Sequence, residues 1–199
     1  MRSNVCKIEK GTRDLEAILL ESERVAKYNG LSHKQTLQLR LLCEEIDGML
    51  PNIIDDFDGE LWIDFENSVC NINVSIYIPD FNAEKKEELI DIAKNKKNSA
   101  AVGIVGKIRD AIENVMLDEE RMEMLALSAG SSGLGIGYSD VVNYDYLWRL
   151  DEYRSSVKKE EQSEAWDELE KSVIASAADD VIVGVKGRKA DIIIVKKFA

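Results

Sequence analysis

Hydrophobic residues recur along the chain with two different periods, and these periods predict its helices and strands. A helical period, with apolar residues every three or four positions, extends from Thr12 to Asn29 and again from Ser32 to Pro51. Gly30 suits the end of the first helix, because glycine readily adopts the left-handed conformation of a C′ residue. Ser32 suits the N-cap of the second helix, and Pro51 is expected to kink or end it.

Strict alternation of apolar and polar residues predicts the strands. It covers residues 61–66 and 70–78, on either side of a turn at Asn67-Ser68, and so predicts an antiparallel hairpin with one buried face. A second hairpin is predicted from Val181 to Val195, around a turn at Gly187-Arg188-Lys189. A short segment from Val5 to Ile8 predicts one further strand near the start.

Between the two hairpins the pattern is mainly helical. Asn82 suits the cap of a helix from Ala83 to about Asn95, and another helix is expected from about Ala100 to Met116. A glycine-rich stretch follows from Gly130 to Gly137. Residues 140–171 carry much charge and predict one or two helices, which end at Val173-Ile174.

This order of elements predicts an α/β protein of the α+β type, because the strands come in hairpins and not in alternating βα units. We expect a two-layer α/β sandwich, in which a mixed, mostly antiparallel sheet carries helices on one face. The length of 199 residues suits a single domain over residues 1–199, with a helical insertion at about 140–171.

Composition narrows the classes of function. The net charge of −12 argues against nucleic-acid binding and against anionic membranes, since both need a basic surface. The first ten residues contain no apolar core of a signal peptide, and no stretch is apolar enough to span a bilayer, so we expect a cytoplasmic protein. Three widely spaced cysteines and a single histidine are too few for a typical zinc site or a histidine-based catalytic triad. We expect the cysteines to be free thiols in the hydrophobic core.

Three segments contain residue types that catalysis or ligand binding requires. Each of them can also be explained by a purely structural role. Glu44-Glu45 places a carboxylate near the apolar face of the second helix, as a general base requires, but two acids at a polar edge look the same. Asp80 with Asn82 can accept hydrogen bonds from a purine amine or simply cap a helix. The stretch from Ser131 to Gly137 can present backbone N–H groups to an anion or act as a hinge.

Taken in order, these features resemble the ATP-binding domain shared by DNA gyrase, histidine kinases and related ATPases, the GHKL or Bergerat fold. An acid-bearing helix, a hairpin, an Asp-containing loop, a helical segment, a glycine loop and a closing hairpin follow one another along nearly the whole chain. The small anti-sigma-factor serine kinases look most similar. The resemblance implies binding of ATP or ADP, with Mg²⁺ at the phosphates.

The resemblance also implies roles for particular residues. Glu45 resembles the N-box glutamate that activates the nucleophile, with Glu44 as the alternative register, and Lys107 or Arg109 is expected to reach phosphates from a lid between about residues 94 and 129. The implied adenine and phosphate contacts are Asp80, Asn82, Ser132, Gly133, Leu134, Gly135 and Gly137.

Two boxes depart from the family pattern. Met49 stands where the N-box has its magnesium-binding asparagine, and Asn52, one turn later, is the substitute that the sequence offers as a metal ligand. The glycines expected after Asp80 are missing.

Two functions therefore stay open. One is a cytoplasmic ATP- or ADP-binding regulator, with protein serine kinase or ATPase activity undecided and a protein partner or a homodimer expected. The alternative is a module on the same fold that has lost the nucleotide and binds proteins. Its interaction surface would include the aromatic residues between Tyr144 and Trp166.

Overall fold

The structure, a computed structural model, describes residues 1–9, 12–54, 56–78, 104–112, 146–158 and 172–198. The strands are β1 (Cys6–Glu9), β2 (Thr12–Arg13), β3 (Asp58–Glu66), β4 (Val69–Tyr77), β5 (Tyr146–Arg149), β6 (Asp180–Lys186) and β7 (Lys189–Lys197). The helices are α1 (Leu15–Tyr28), α2 (His33–Ile53), α3 (residues 104–112), α4 (Leu150–Val157) and α5 (Val173–Ala177).

The seven strands form one sheet in the order β2-β1-β3-β4-β7-β6-β5. Every pairing between described strands is antiparallel. The parallel component of the predicted mixed sheet is therefore not found in the described part of the chain. At the centre of the sheet, Ile72 of β4 lies opposite Ile63 of β3 on one side and Ile194 of β7 on the other.

Both predicted hairpins are confirmed. The first turns at Asn67 and Ser68, whose φ angles of 51° and 62° are left-handed, as a two-residue turn between twisted strands requires. The second turns at Gly187, whose φ is 56°. Alternation decides which face is buried, because successive side chains of a strand point to opposite sides.

One face of the sheet and the inner faces of the helices make a single core. The buried strand residues are joined there by Ile18 and Val25 of α1 and by Leu42 and Ile46 of α2, all of them fully buried. The described chain is thus an α+β arrangement of an antiparallel sheet and helices. The three cysteines are free and buried in this core, and burial raises the pKa of the Cys70 thiol to about 12.

The ends of α1 and α2 follow the sequence signals. Ser32 accepts a hydrogen bond from the Gln35 backbone, and the Gln35 side chain in turn accepts one from the Ser32 N–H, which completes a capping box. Gly30, with φ of 68°, lies just after α1. Pro51 does not end α2, which continues to Ile53.

The charged segment near the C-terminal third differs from the prediction. Residues 146–149, predicted as helix, form β5, because they pair with β6 from Tyr146 opposite Val185 to Arg149 opposite Ile182. Val173 and Ile174 begin a short helix and do not end a long one, and Ser172 caps it. The predicted helix from Ala83 and the glycine-rich stretch lie outside the described residues.

Candidate functional site

Helix α2 carries the predicted acids, and its two flanks face different neighbours. Successive residues of a helix are about 100° apart, so Glu44 and Glu45 point in different directions. On one flank, Arg40 donates a hydrogen bond to Glu23 of α1, and its guanidinium also lies 3.9 Å from the Glu44 carboxylate. Glu44 is exposed and belongs to this ion-pair network.

The opposite flank of α2 carries Glu45, Met49 and Asn52, since residues four and seven apart share one side of a helix. Glu45 is half-buried. The guanidinium of Arg109, from α3, donates a hydrogen bond to the main-chain carbonyl of Asn52. Glu45 lies about 10 Å along the helix from this contact. Of the two predicted registers, Glu45 is therefore the half-buried acid and Glu44 the exposed one.

The described residues provide no complete set of ligands for a magnesium ion. Met49 is only 4% exposed and belongs to the core, and its thioether is not an oxygen ligand. The side-chain amide of Asn52 donates to the Gly48 carbonyl, 3.2 Å away within the same helix. Among the residues that the structure describes, no group of three or more His, Cys, Asp or Glu is placed to hold a metal.

The structure separates the two predicted phosphate-binding cations. Lys107 and Arg109 are two residues apart on α3, so they point about 160° from each other. The Lys107 ammonium lies 5.9 Å from the centre of the Tyr153 ring of α4, a cation–π contact. Arg109 alone of the two reaches α2.

The aromatic residues predicted as a partner surface are partly engaged inside the fold. Tyr153 packs against Trp148, with ring centres 6.0 Å apart, and burial raises the pKa of the Tyr153 hydroxyl. Both rings are half-buried beside the core. Tyr146, 40% exposed, is the more accessible member in the described segment 146–158.

The remaining predicted site residues lie outside the described part of the chain. These are Asp80, Asn82, Ser132, Gly133, Leu134, Gly135 and Gly137. The predicted contacts of Asp80 and Asn82 with adenine, and of the glycine-rich stretch with phosphates, therefore remain predictions.

Besides Glu21 of α1, two buried acids were not predicted from the sequence. Asp180, at the start of β6, is 8% exposed and accepts a hydrogen bond from Arg149 Nε at 3.0 Å, as well as bonds from the backbone N–H groups of Asp151 and Val181. This network ties α4 to β6 and is structural. Asp47 of α2 is 6% exposed and lies on the flank opposite Glu45. In the sequence, Asp180 and Asp47 are indistinguishable from exposed acids, because the local hydrophobic pattern does not show whether an acid is buried.

No family model, no curated protein and no solved structure matches the chain. Among the described helices, none is both long enough and apolar enough to cross a membrane.

Proposed function

We propose that this chain is a cytoplasmic ATP- or ADP-binding regulatory protein of the histidine-kinase-like ATPase superfamily. The single observation that carries the proposal is the contact of Arg109, from α3, with the Asn52 carbonyl at the end of α2, the helix that bears the half-buried Glu45. A half-buried acid and a guanidinium on adjacent helices are the pair that phosphate chemistry uses, one as a base and the other as an anion contact. The order of helices and hairpins along the chain supports the same family.

Each residue has a distinct role in this proposal. Glu45 accepts the proton of an attacking hydroxyl or water, a role that its half-buried position suits. Arg109 binds phosphate oxygens through its planar guanidinium, while Asn52 holds it against the end of α2. When bound, the nucleotide supplies the phosphoryl group. No step is assigned to Mg²⁺, since Met49 and Asn52 do not offer it a ligand set.

The contact between Arg109 and Asn52 also has a structural explanation. Basic side chains often cap the last carbonyl groups of a helix, and Asn52 is in the last turn of α2. A capping arginine stabilises the fold with or without nucleotide, whereas a phosphate-binding arginine changes the affinity for nucleotide. The two roles are therefore separable by experiment.

The test is the thermal unfolding of the full chain with ATP or ADP, each with and without Mg²⁺. A nucleotide at a hundred times its Kd adds about 2.7 kcal/mol to the free energy of unfolding, which raises Tm by about 5–10 °C for a chain of this size. Arg109→Ala is expected to weaken nucleotide binding at least about tenfold, because a charge-assisted contact is lost. Lys107→Ala, on the same helix, is the matched control and should retain the shift.

The outcomes separate the candidate functions. Glu45→Ala should bind nucleotide and lose any phosphotransfer to protein, whereas Glu44→Ala should retain it. If Arg109→Ala binds nucleotide as tightly as the unchanged protein, Arg109 only caps the helix and does not bind phosphate. No shift with either nucleotide at millimolar concentration would contradict the proposal and favour the protein-interaction module, for which the buried Met49 is the supporting observation.

A further inference from the structure

Helix α1 ends in a hydrogen-bonded Schellman motif, in which the chain folds back on the last turn of the helix. The N–H of Gly30 donates to the Lys27 carbonyl at 3.3 Å, and the N–H of Leu31 donates to the Ala26 carbonyl at 2.9 Å. Gly30 has the left-handed φ of 68° that the motif requires at this position. The motif therefore fixes the residues that connect α1 to α2.

Gly30 follows Asn29, and together they are the one Asn-Gly pair in the sequence. In such a pair the main-chain nitrogen of the glycine can attack the side-chain amide carbon of the asparagine, because glycine has no side chain to hinder the approach. A C–N bond forms and closes a succinimide ring, and the amide nitrogen leaves as ammonia, taking up through water the proton that the glycine nitrogen releases. Water then opens the ring at either carbonyl and leaves aspartate or isoaspartate.

Hydrogen bonds hold both reacting groups of this pair while the motif is closed. The side-chain amide nitrogen of Asn29 donates to the Val25 carbonyl at 2.8 Å, and the N–H of Gly30 is bonded to Lys27. Gly30 itself is exposed, and no described atom beyond its two neighbours in the chain lies within 4 Å of the position that a Cβ would take. Water therefore reaches the pair, and ring closure is unhindered on this side once the two bonds break.

We propose that Asn29 is a modification site, which deamidates spontaneously when the Schellman motif opens. The ends of helices are among the parts of a fold that open locally at a low cost in free energy. Opening this motif breaks the bonds from Asn29, Gly30 and Leu31 and requires no strand pairing to break. The reaction consumes water and needs no enzyme or cofactor, so the opening of the fold sets its rate.

The products change the junction between the two helices. Both place a carboxylate at the C-terminal end of α1, where the helix dipole is negative. A carboxylate also cannot donate a hydrogen bond to the Val25 carbonyl. Isoaspartate further adds a main-chain carbon between α1 and Ser32, the N-cap of α2. The modification is therefore expected to loosen the connection from α1 to α2.

Peptide mapping of the full chain by mass spectrometry, during incubation in mildly alkaline buffer, tests the proposal. Asn29 should convert in the folded chain, and at least about tenfold faster in the chain unfolded by urea, because unfolding frees both reacting groups. Urea well below the unfolding transition should change the rate in the folded chain little, since local opening exposes little surface. A rate that rises steeply with each small addition of urea would assign the reaction to global unfolding and overturn the proposal.

Variants at two leucines test whether the motif controls the rate. Leu31 packs against the core, a contact that often accompanies a Schellman motif, so Leu31→Ala should speed the conversion about threefold or more, with the same weak dependence on urea. Leu20→Ala is the matched control, because Leu20 is an exposed leucine of the same helix, 51% accessible, and its loss should leave the rate unchanged.

Three results would overturn the proposal. One is an equal rate in Leu31→Ala and Leu20→Ala. Another is a folded chain in which Asn29 stays intact while the unfolded chain converts completely, and the third is an equal rate in the folded and unfolded chains. None of these measurements involves nucleotide, so their outcome leaves the nucleotide proposal untouched.

Discussion

At the scale of single residues, burial of charge is the feature that most affects stability. Glu21 of α1 is 8% exposed and accepts two hydrogen bonds from Asn4, at 3.1 Å from its backbone and 3.0 Å from its side chain. Burial alone would raise the pKa of Glu21, but the bonds from Asn4 and the ion pair with Arg24 outweigh it and hold the pKa below its usual range. Glu21 thereby fastens the first residues of the chain to α1.

The lowered pKa of Glu21 makes stability depend on pH. A carboxyl whose pKa is lower in the folded state stabilises the fold above its unfolded value of about 4.3, and that contribution is lost as the pH falls through the folded value. Glu21→Gln should therefore cost about 1–3 kcal/mol at pH 7 and progressively less between about pH 5 and pH 3. Urea unfolding across this range measures the difference, with the exposed Glu9→Gln as control. A cost for Glu21→Gln that is independent of pH would contradict the assignment.

At the scale of elements, short-range signals set where helices begin and how hairpins turn. The capping box of Ser32 and Gln35 satisfies backbone N–H groups that the first turn of α2 leaves unpaired. Ser32→Ala should destabilise the protein by about 1 kcal/mol, because one of these donors loses its acceptor. Thermal unfolding measures the loss, and Ser155→Ala, an exposed serine inside α4, should change Tm little. Equal losses in the two variants would exclude a capping role.

The same locality explains what could be predicted from the sequence. The local apolar pattern revealed four strands, because β3 and β4 alternate and β6 and β7 are apolar runs, each beside a turn signal. It did not reveal β5, since four residues followed at once by a helix carry too short a pattern. What makes β5 a strand is its pairing with β6, more than thirty positions later, which no local pattern encodes.

The candidate site was likewise only partly predictable from the sequence. The chemistry of Glu44-Glu45 was visible in the sequence, but the choice between them was not. That choice rests on burial: Glu44 is exposed and lies 3.9 Å from Arg40 of its own helix, whereas Glu45 is half-buried. The sequence likewise did not distinguish Lys107 from Arg109. In the structure, Lys107 contacts Tyr153 of α4, whereas Arg109 contacts Asn52 of α2.

At the scale of the whole molecule, the order of the sheet predicts which hydrogen bonds open last. β4 and β7 are adjacent near its middle, and each is paired on both sides over seven to nine residues. Their amides should exchange with solvent only through global unfolding, whereas those of the four-residue strands β1 and β5 should exchange through local opening. Native-state hydrogen exchange, followed by mass spectrometry at increasing denaturant, measures both classes.

The expected order of exchange follows from cooperativity and not from burial alone. Ile8 of β1 is as well buried as Ile194 of β7, yet β1 is held on its outer side only by the two-residue strand β2. Opening β1 therefore breaks few pairings, while opening β7 breaks those to β4 and β6 together. Amides of residues 189–197 that exchange as fast as those of residues 6–9 would show that the sheet does not unfold as one cooperative unit.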